Sequence, residues 1–539
     1  MALSDRRLAA AALAVCLALA VLHTWPLGAS PGGWSRNDNA DTMLNEWTIA
    51  WVAHQVVRAP LRLFDANIFY PAPRSLAFSE HLFVQGLMGA PLIWSGASPV
   101  LAYNVLLIAG LTLSAWSMWL VVRRWTGSTA AGVVAGSLYA FNAHTLSRLP
   151  HLQALHLEFL PVALLALDRL LERRRLRDAL LLAMFATLQA LTSNYLLVFM
   201  VIGLTAAVVS RPQDWAMPFS AKTVALLGLA TAIAGLVVMP FLVPYYLAQR
   251  DQGLTRTLND VARYSAVWQD YFTTPGRLHG AIWSHGMFEG ATALFPGAIA
   301  ALLALYGISR GAALPRIRMT SAIGLVGVVL SFGPSMPGYA LLYRWIPLLQ
   351  GIRAAGRFGF LLLVAVAILA GYGVAALQTR FGSRRWWRLA LVLIVVGVHV
   401  EAITSPRVYR RFDGIPQIYR AIADEPGGIV AEFPFYTPAT ILRNAVYELN
   451  STVYWKPLLN GYSGYVPRHY VDAADALRDF PDDRSRAWLR RVGVTHLFVH
   501  MAAYGDRATA LAVELKQTGW LTLVAEQRDI RLYRVGPGR

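Results

Sequence analysis

Long apolar stretches separated by short polar connections fill the first three quarters of the chain. A helix that crosses a bilayer needs roughly 17–25 mostly apolar residues, somewhat fewer where polar side chains of a site intrude. The pattern predicts eleven spans, near residues 8–27, 99–122, 128–142, 152–169, 178–194, 195–209, 223–248, 291–308, 319–332, 357–377 and 388–404. Residues 82–95 are apolar as well, but fourteen residues bounded by Pro91 and Pro99 suit an interfacial or re-entrant helix better than a span. After Ser405 the pattern changes. Gly428 to Phe433, Thr495 to His500, and Leu521 to Ala525 followed by Ile530 to Val535 read as short strands, and Val471 to Arg491 as an amphipathic helix. The expected fold class is a polytopic α-helical membrane protein of about eleven spans over residues 1–404, with a first outer loop at 28–81. A soluble α/β domain, residues 405–539, follows it and is long enough to bury a core of its own.

Composition agrees with the pattern. The chain is 56% hydrophobic and only 14% charged, against about a quarter charged in soluble domains. This excludes an ordinary soluble enzyme, and disorder, which needs low hydrophobicity. The net charge of +18 raises a nucleic-acid partner, but its distribution gives another explanation. The segments 1–7, 123–128, 169–178, 210–222, 309–318 and 378–388 hold 18 Lys and Arg against 4 Asp and Glu. The longer intervening loops 28–81, 143–151, 249–290 and 332–357 hold 12 Lys and Arg. That asymmetry is the positive-inside pattern. It puts the N-terminus in the cytoplasm and, with an odd number of spans, the C-terminal domain outside the membrane, with no nucleic acid required. Arg6-Arg7 before an apolar run imitates a secretory signal, and Leu13-Ala14-Val15-Cys16 loosely imitates a lipobox. Ten further spans favour an uncleaved first helix. The single cysteine, Cys16, excludes an intrachain disulfide and a thiolate zinc cluster.

Candidate chemistry concentrates in the loops assigned to the outer face. The first contains Trp34-Ser35-Arg36-Asn37-Asp38-Asn39-Ala40-Asp41, then Asn45-Glu46-Trp47, Phe69-Tyr70-Pro71 and Ser79-Glu80-His81. A helix starting near Asp38 would set Asp38, Asp41 and Asn45 on one face, and a carboxylate there can take a proton from an acceptor hydroxyl. An ordinary helix start, with Asp38 as N-cap and Asp41 in the first turn, explains the same residues. Residues 332–357 carry Arg344, Arg353 and Arg357 and no acid. An anionic partner would account for such arginines, a phosphate suiting the guanidinium fork; snorkelling to headgroups is the alternative.

A third polar group comprises Asn142, His144, Arg148, His151, Gln153, His156 and Glu158. Its histidine spacings do not fit a helical zinc pair, and His156 and Glu158 at the mouth of a span suggest a polar cavity. Tyr264, Ser265, Asp270, Tyr271 and Glu289 of the loop 249–290 are further candidates for touching a polar ligand. Trp34, Trp47, Trp51 and Tyr70 suit ring stacking or interfacial anchoring. No nucleotide-binding glycine loop, HExxH or GxSxG is present in the sequence.

Together these features resemble the GT-C superfamily of integral-membrane glycosyltransferases, and more narrowly its bacterial relatives. The resemblance rests on Asn37-Asp38-Asn39-Ala40-Asp41, on Phe69-Tyr70-Pro71 leading to Ser79-Glu80-His81, and on Gly351-Ile352-Arg353-Ala354-Ala355-Gly356-Arg357-Phe358. It rests also on Tyr454-Trp455-Lys456-Pro457 with Asn460-Gly461-Tyr462-Ser463. It covers the membrane part closely and the tail loosely.

The resemblance implies a polyprenyl-phosphate-linked sugar donor, a glycan, lipid or protein acceptor, inverting transfer, and a first-loop carboxylate as general base. By that resemblance the base is Asp38 and the second acid Asp41, while Glu80, His81, His156, Glu158 and Glu289 are substrate-binding candidates. Arg353 and Arg357 join those candidates on the charge argument. The acids depart from a compact Asp-x-Asp, so no cofactor is required and a divalent metal stays open. Two other readings compete: a transporter or flippase of a lipid-linked glycan, and a non-catalytic envelope scaffold. Neither needs Asp38 as a base.

Overall fold

The computed structural model describes residues 3–36, 38–216, 221–253, 257–284 and 292–536. The chain is mostly helical and forms two compact units. One comprises Met1–Ser30, Asn104–Pro240 and Thr255–Val408; the other Pro31–Tyr103, Phe241–Leu254 and Tyr409–Arg539. Composition places a boundary at 404, whereas packing also groups residues 31–103 and 241–254 with the C-terminal region.

A helix occupies the greater part of each of the eleven apolar stretches, among them Leu3–His23, Thr129–Ala140, Phe159–Arg173, Leu176–Thr192, Pro315–Ser331 and Trp387–Ala402. Four helices among the described residues are long and apolar enough to cross a membrane by length and composition: Asp5–His23, Pro99–Thr126, Ala221–Gln252 and Ala355–Phe381. Asn194–Val209 and Ala298–Gly311 are shorter apolar helices.

In the first unit the helix Phe360–Phe381 packs against Thr129–Ala140, Ala298–Gly311 and Pro315–Ser331. Its crossing with Ala298–Gly311 is made by two glycines. A Cβ on Gly373 would lie 2.1 Å from the Leu303 carbonyl oxygen, and one on Gly307 2.3 Å from that of Leu369. Such approach of backbones is the usual way helices associate in lipid, where apolar side chains gain little by leaving the solvent. Three of the basic segments meet on buried Asp168. It accepts from Arg211 at 2.6 Å, Arg316 at 2.8 Å and the Trp125 indole at 2.9 Å. Arg211 also pairs with Asp214 and Arg316 with Glu172, each at 2.6 Å. Charges at that depth persist only when paired, so part of the positive-inside excess is also structural.

The second unit is built on a four-stranded sheet of β3 (Val430–Phe433), β4 (His496–His500), β5 (Leu521–Gln527) and β6 (Ile530–Val535). The spatial order is β3-β4-β6-β5, with β3 parallel to β4 and the other pairs antiparallel. A small ribbon joins β1 (Trp34–Ser35) to β2 (Arg410–Arg411). The amphipathic stretch 471–491 is two helices, Arg468–Ala476 and Asp483–Val492. Pro481 bars α conformation from its predecessor, and Asp482 caps the second helix through the Ser485 N–H at 2.9 Å.

The first outer loop is largely core. Its helix Ala40–Arg58 buries twelve residues and packs on Ala445–Ser451 and on Phe83–Trp94. That last helix is the twelve-residue element expected at 82–95, and a Cβ on its Gly86 would meet Val52 at 2.4 Å.

Candidate functional site

In the second unit the helix begins one residue later than Asp38 would allow. Asn39, in extended conformation, is the N-cap, and its side chain accepts from the Asp41 N–H at 2.9 Å. Asp38 therefore lies outside the helix, so the stack of Asp38, Asp41 and Asn45 on one helical face does not form. Asp38 is exposed in the preceding turn and pairs with Arg36 at 3.1 Å. Asp41 is half-buried in the first turn and accepts from the Tyr462 hydroxyl at 2.7 Å. A residue of the C-terminal region thus meets the first-loop acid.

One turn further on, Glu46 is fully buried. The Ser35 hydroxyl donates to its Oε1 at 2.8 Å, while Oε2 has no partner among the described residues. Burial pushes the Glu46 carboxyl up to about 8, against the smaller opposing effect of Ser35. The sequence quotes Glu46 in a motif without giving it a role; nothing in the spacing shows that it points inward.

Two of the tryptophans are neither sugar platforms nor interfacial anchors. Trp47 and Trp51 are buried, with their indole N–H groups on Asn67 Oδ1 at 3.2 Å and the Leu63 carbonyl at 2.8 Å. Trp34 and Tyr70 are half-buried. His81 is buried among Phe64, Phe241 and Tyr245, with Nδ1 3.1 Å from the Tyr245 hydroxyl, and burial lowers it to about 4. It is a neutral core imidazole at physiological pH. Glu80 beside it is half-buried.

The first unit holds the basic candidates. Arg353 and Arg357 make no ion pair among the described residues; each lies on a tyrosine. The Arg353 guanidinium is 4.3 Å from the Tyr264 ring centroid and donates to its hydroxyl, and that of Arg357 is 4.8 Å from the Tyr195 ring. The Tyr195 hydroxyl accepts from the N–H groups of Arg353 and Ala354 at 3.2 and 3.3 Å. One tyrosine therefore fixes the backbone of the first arginine and supports the second. The expected stacking on one helical face is replaced by separate tyrosine supports, because residues 355–359 form a 3-10 turn. Tyr195 carries no sequence signal of its role.

His144 lies close to two of the arginines and stays uncharged beside them. Burial first, then the charges of Arg148, Arg357 and His151, hold its imidazole well below its ordinary value, and its Nδ1 has no partner among the described residues. Two segments more than two hundred residues apart in sequence thus bring Arg148 and Arg357 close to one neutral histidine.

The remaining candidates divide. His156 is buried, with Nδ1 2.9 Å from Glu158 Oε1 and Nε2 3.1 Å from the Leu106 carbonyl, a packed pair that joins helices. Tyr271 meets Ser331 at 2.7 Å, and Asp270 accepts from the Val267 N–H at 2.9 Å; neither joins the arginines. Glu289 lies outside the described residues. Among those described, no group of three or more His, Cys, Asp or Glu is placed to hold a metal ion.

The architecture is the GT-C fold of integral-membrane glycosyltransferases. The chain is similar to the arabinofuranosyltransferase AftD from Mycobacteria, with a TM-score of 0.65 and 17% identity over 100% of this chain and 40% of that one. It is also similar to the archaeal oligosaccharyltransferase AglB from Archaeoglobus fulgidus, whose structure contains an inhibitory peptide and a dolichol-phosphate. There the TM-score is 0.52 and the identity 13%, over 99% of this chain and 75% of that one. The chain thus spans about two fifths of the length of AftD, and at these identities the likeness defines the fold. No family model and no curated protein sequence matches the chain.

Proposed function

We propose that the chain is an inverting membrane glycosyltransferase. It moves a sugar from a polyprenyl-phosphate donor to an envelope glycan, lipid or protein acceptor on the outer face of a bacterial inner membrane. The observation that carries this reading is Arg353 and Arg357, laid on tyrosine rings without a carboxylate partner, in a GT-C fold. Guanidinium groups held in that way keep donors available for a phosphate, and stabilise it best as its charge grows on departure of the sugar. Arg148 extends the same electropositive region, with the neutral His144 beside it. Asp38 serves as general base and Asp41 as the second acid, drawing the proton from the acceptor hydroxyl. Glu80, His81, His156, Glu158 and Glu289 are kept as substrate-side candidates, of which buried His81 and His156 act through packing. Eleven spans, a cytoplasmic N-terminus and an outer C-terminal region complete the reading, with no metal required.

Purified protein in liposomes, supplied with polyprenyl-phosphate arabinofuranose and other polyprenyl-phosphate sugars, tests it through released polyprenyl phosphate. Arg353→Ala and Arg357→Ala are expected to raise the donor KM about tenfold or more and to leave the acceptor KM near normal. Unchanged donor dependence removes both arginines from the phosphate site. Near-normal turnover by Asp38→Ala removes that residue as base.

A further inference from the structure

The Asn460-Gly461-Tyr462 segment is tied into the second unit more firmly than a surface turn needs to be. The Asn460 side chain bonds both ways with the Glu432 backbone of β3, accepting at 2.7 Å and donating at 2.9 Å. Its carbonyl accepts from the Phe69 N–H of the first loop at 3.1 Å. Gly461 sits against the Phe69 ring, where a Cβ would come within 2.6 Å, and its carbonyl accepts from Asn444 at 2.9 Å. The Tyr462 N–H donates to Glu448, a fully buried carboxyl. Every anchor of this segment leads to one half-buried contact: the Tyr462 phenol reaches 2.7 Å from Asp41 Oδ1.

We propose that Tyr462 is a positioning residue for the first-loop acid Asp41, so that the C-terminal region takes part in setting the transfer chemistry. The proposal rests on the glycosyltransferase reading above. The phenol fixes the Asp41 rotamer and, by donating to its oxygen, favours the ionised form. The side chain of Asn39, the N-cap, holds the backbone of the same residue, so backbone and carboxylate are oriented by different parts of the chain. Oriented acids are what proton transfer in a transition state requires.

The test is Tyr462→Phe in the full chain, which keeps the ring and removes only the hydroxyl. Two measurements separate the proposal from the reading it rests on. The first is carbodiimide labelling of Asp41 against pH, followed by mass spectrometry, which needs no substrate. Its midpoint is expected to rise in the variant; an unmoved midpoint overturns the proposal. The second is release of polyprenyl phosphate from polyprenyl-phosphate arabinofuranose in liposomes. The variant is expected to lose about tenfold in kcat, with its acid limb moved upward and its donor KM kept. Equal kcat and pH profile in an active wild type overturn the positioning role. An inactive wild type counts against the donor or the enzyme reading, and leaves the labelling result to decide Tyr462. A variant that melts far below wild type, with its labelling midpoint unmoved, assigns Tyr462 to folding alone and likewise overturns the proposal.

Discussion

At the scale of single residues, burial decides what a polar side chain can do. Glu46 and Asp41 lie on the same helix, but Glu46 is sealed away and protonated at neutral pH while Asp41, half-buried, meets a phenol. A carboxyl whose folded value is raised to about 8 binds more protons folded than unfolded. Its favourable contribution is therefore full below the ordinary value near 4.5, and is lost as pH rises through about 8. Glu46→Gln removes this loss. The thermal midpoint of the variant between pH 6 and 9 is expected to fall less than that of wild type, with a gain on the order of 1 kcal/mol or more at pH 9. Parallel curves for the two proteins would contradict the buried, protonated state. Of the residues singled out from the sequence, Arg353 and Arg357 stood out because charge against topology is visible in a string of letters. Tyr195 did not, and Tyr264 stood out only as a loop residue able to touch a polar ligand, since aromatic support from a distant segment leaves no local pattern.

Among the elements, period and length told most. All eleven apolar stretches contain helices, and the four strands of the sheet fall within two residues of the short apolar segments read as strands. Misjudgements occurred where one residue governs a boundary: Asn39 rather than Asp38 caps the first-loop helix, and Pro481 divides the amphipathic stretch into two. The burial of the loop helix Ala40–Arg58 was hidden because its tryptophans look like interfacial anchors until their indoles find internal acceptors. Packing between elements leaves only a faint trace in sequence, as at Gly373. Gly373→Ala drives a methyl into the Leu303 carbonyl, and an expected loss of about 1–3 kcal/mol should appear as a lower melting temperature in detergent. An unchanged melting temperature would mean that the two helices can part without cost.

For the whole molecule, hydropathy and charge asymmetry gave the membrane class, and the GT-C likeness extends over the entire chain, including the tail that resembled the family only loosely in sequence. The division into two units was not legible, because residues 31–103 and 241–254 join the C-terminal region through tertiary packing rather than through any shift of composition. The proposed topology has its own check. A cysteine in place of exposed Arg528 should react with a membrane-impermeant maleimide in spheroplasts, and one in place of exposed Arg384 only after permeabilisation. The reverse order would invert the orientation. The central claim, sugar transfer by first-loop chemistry, is met most directly by mass spectrometry of envelope glycans from a deletion strain complemented with wild type or with Asp38→Asn. The account predicts that the deletion loses a defined sugar and that only wild type restores it. Full restoration by Asp38→Asn would contradict the catalytic role of that acid and favour transport or scaffolding.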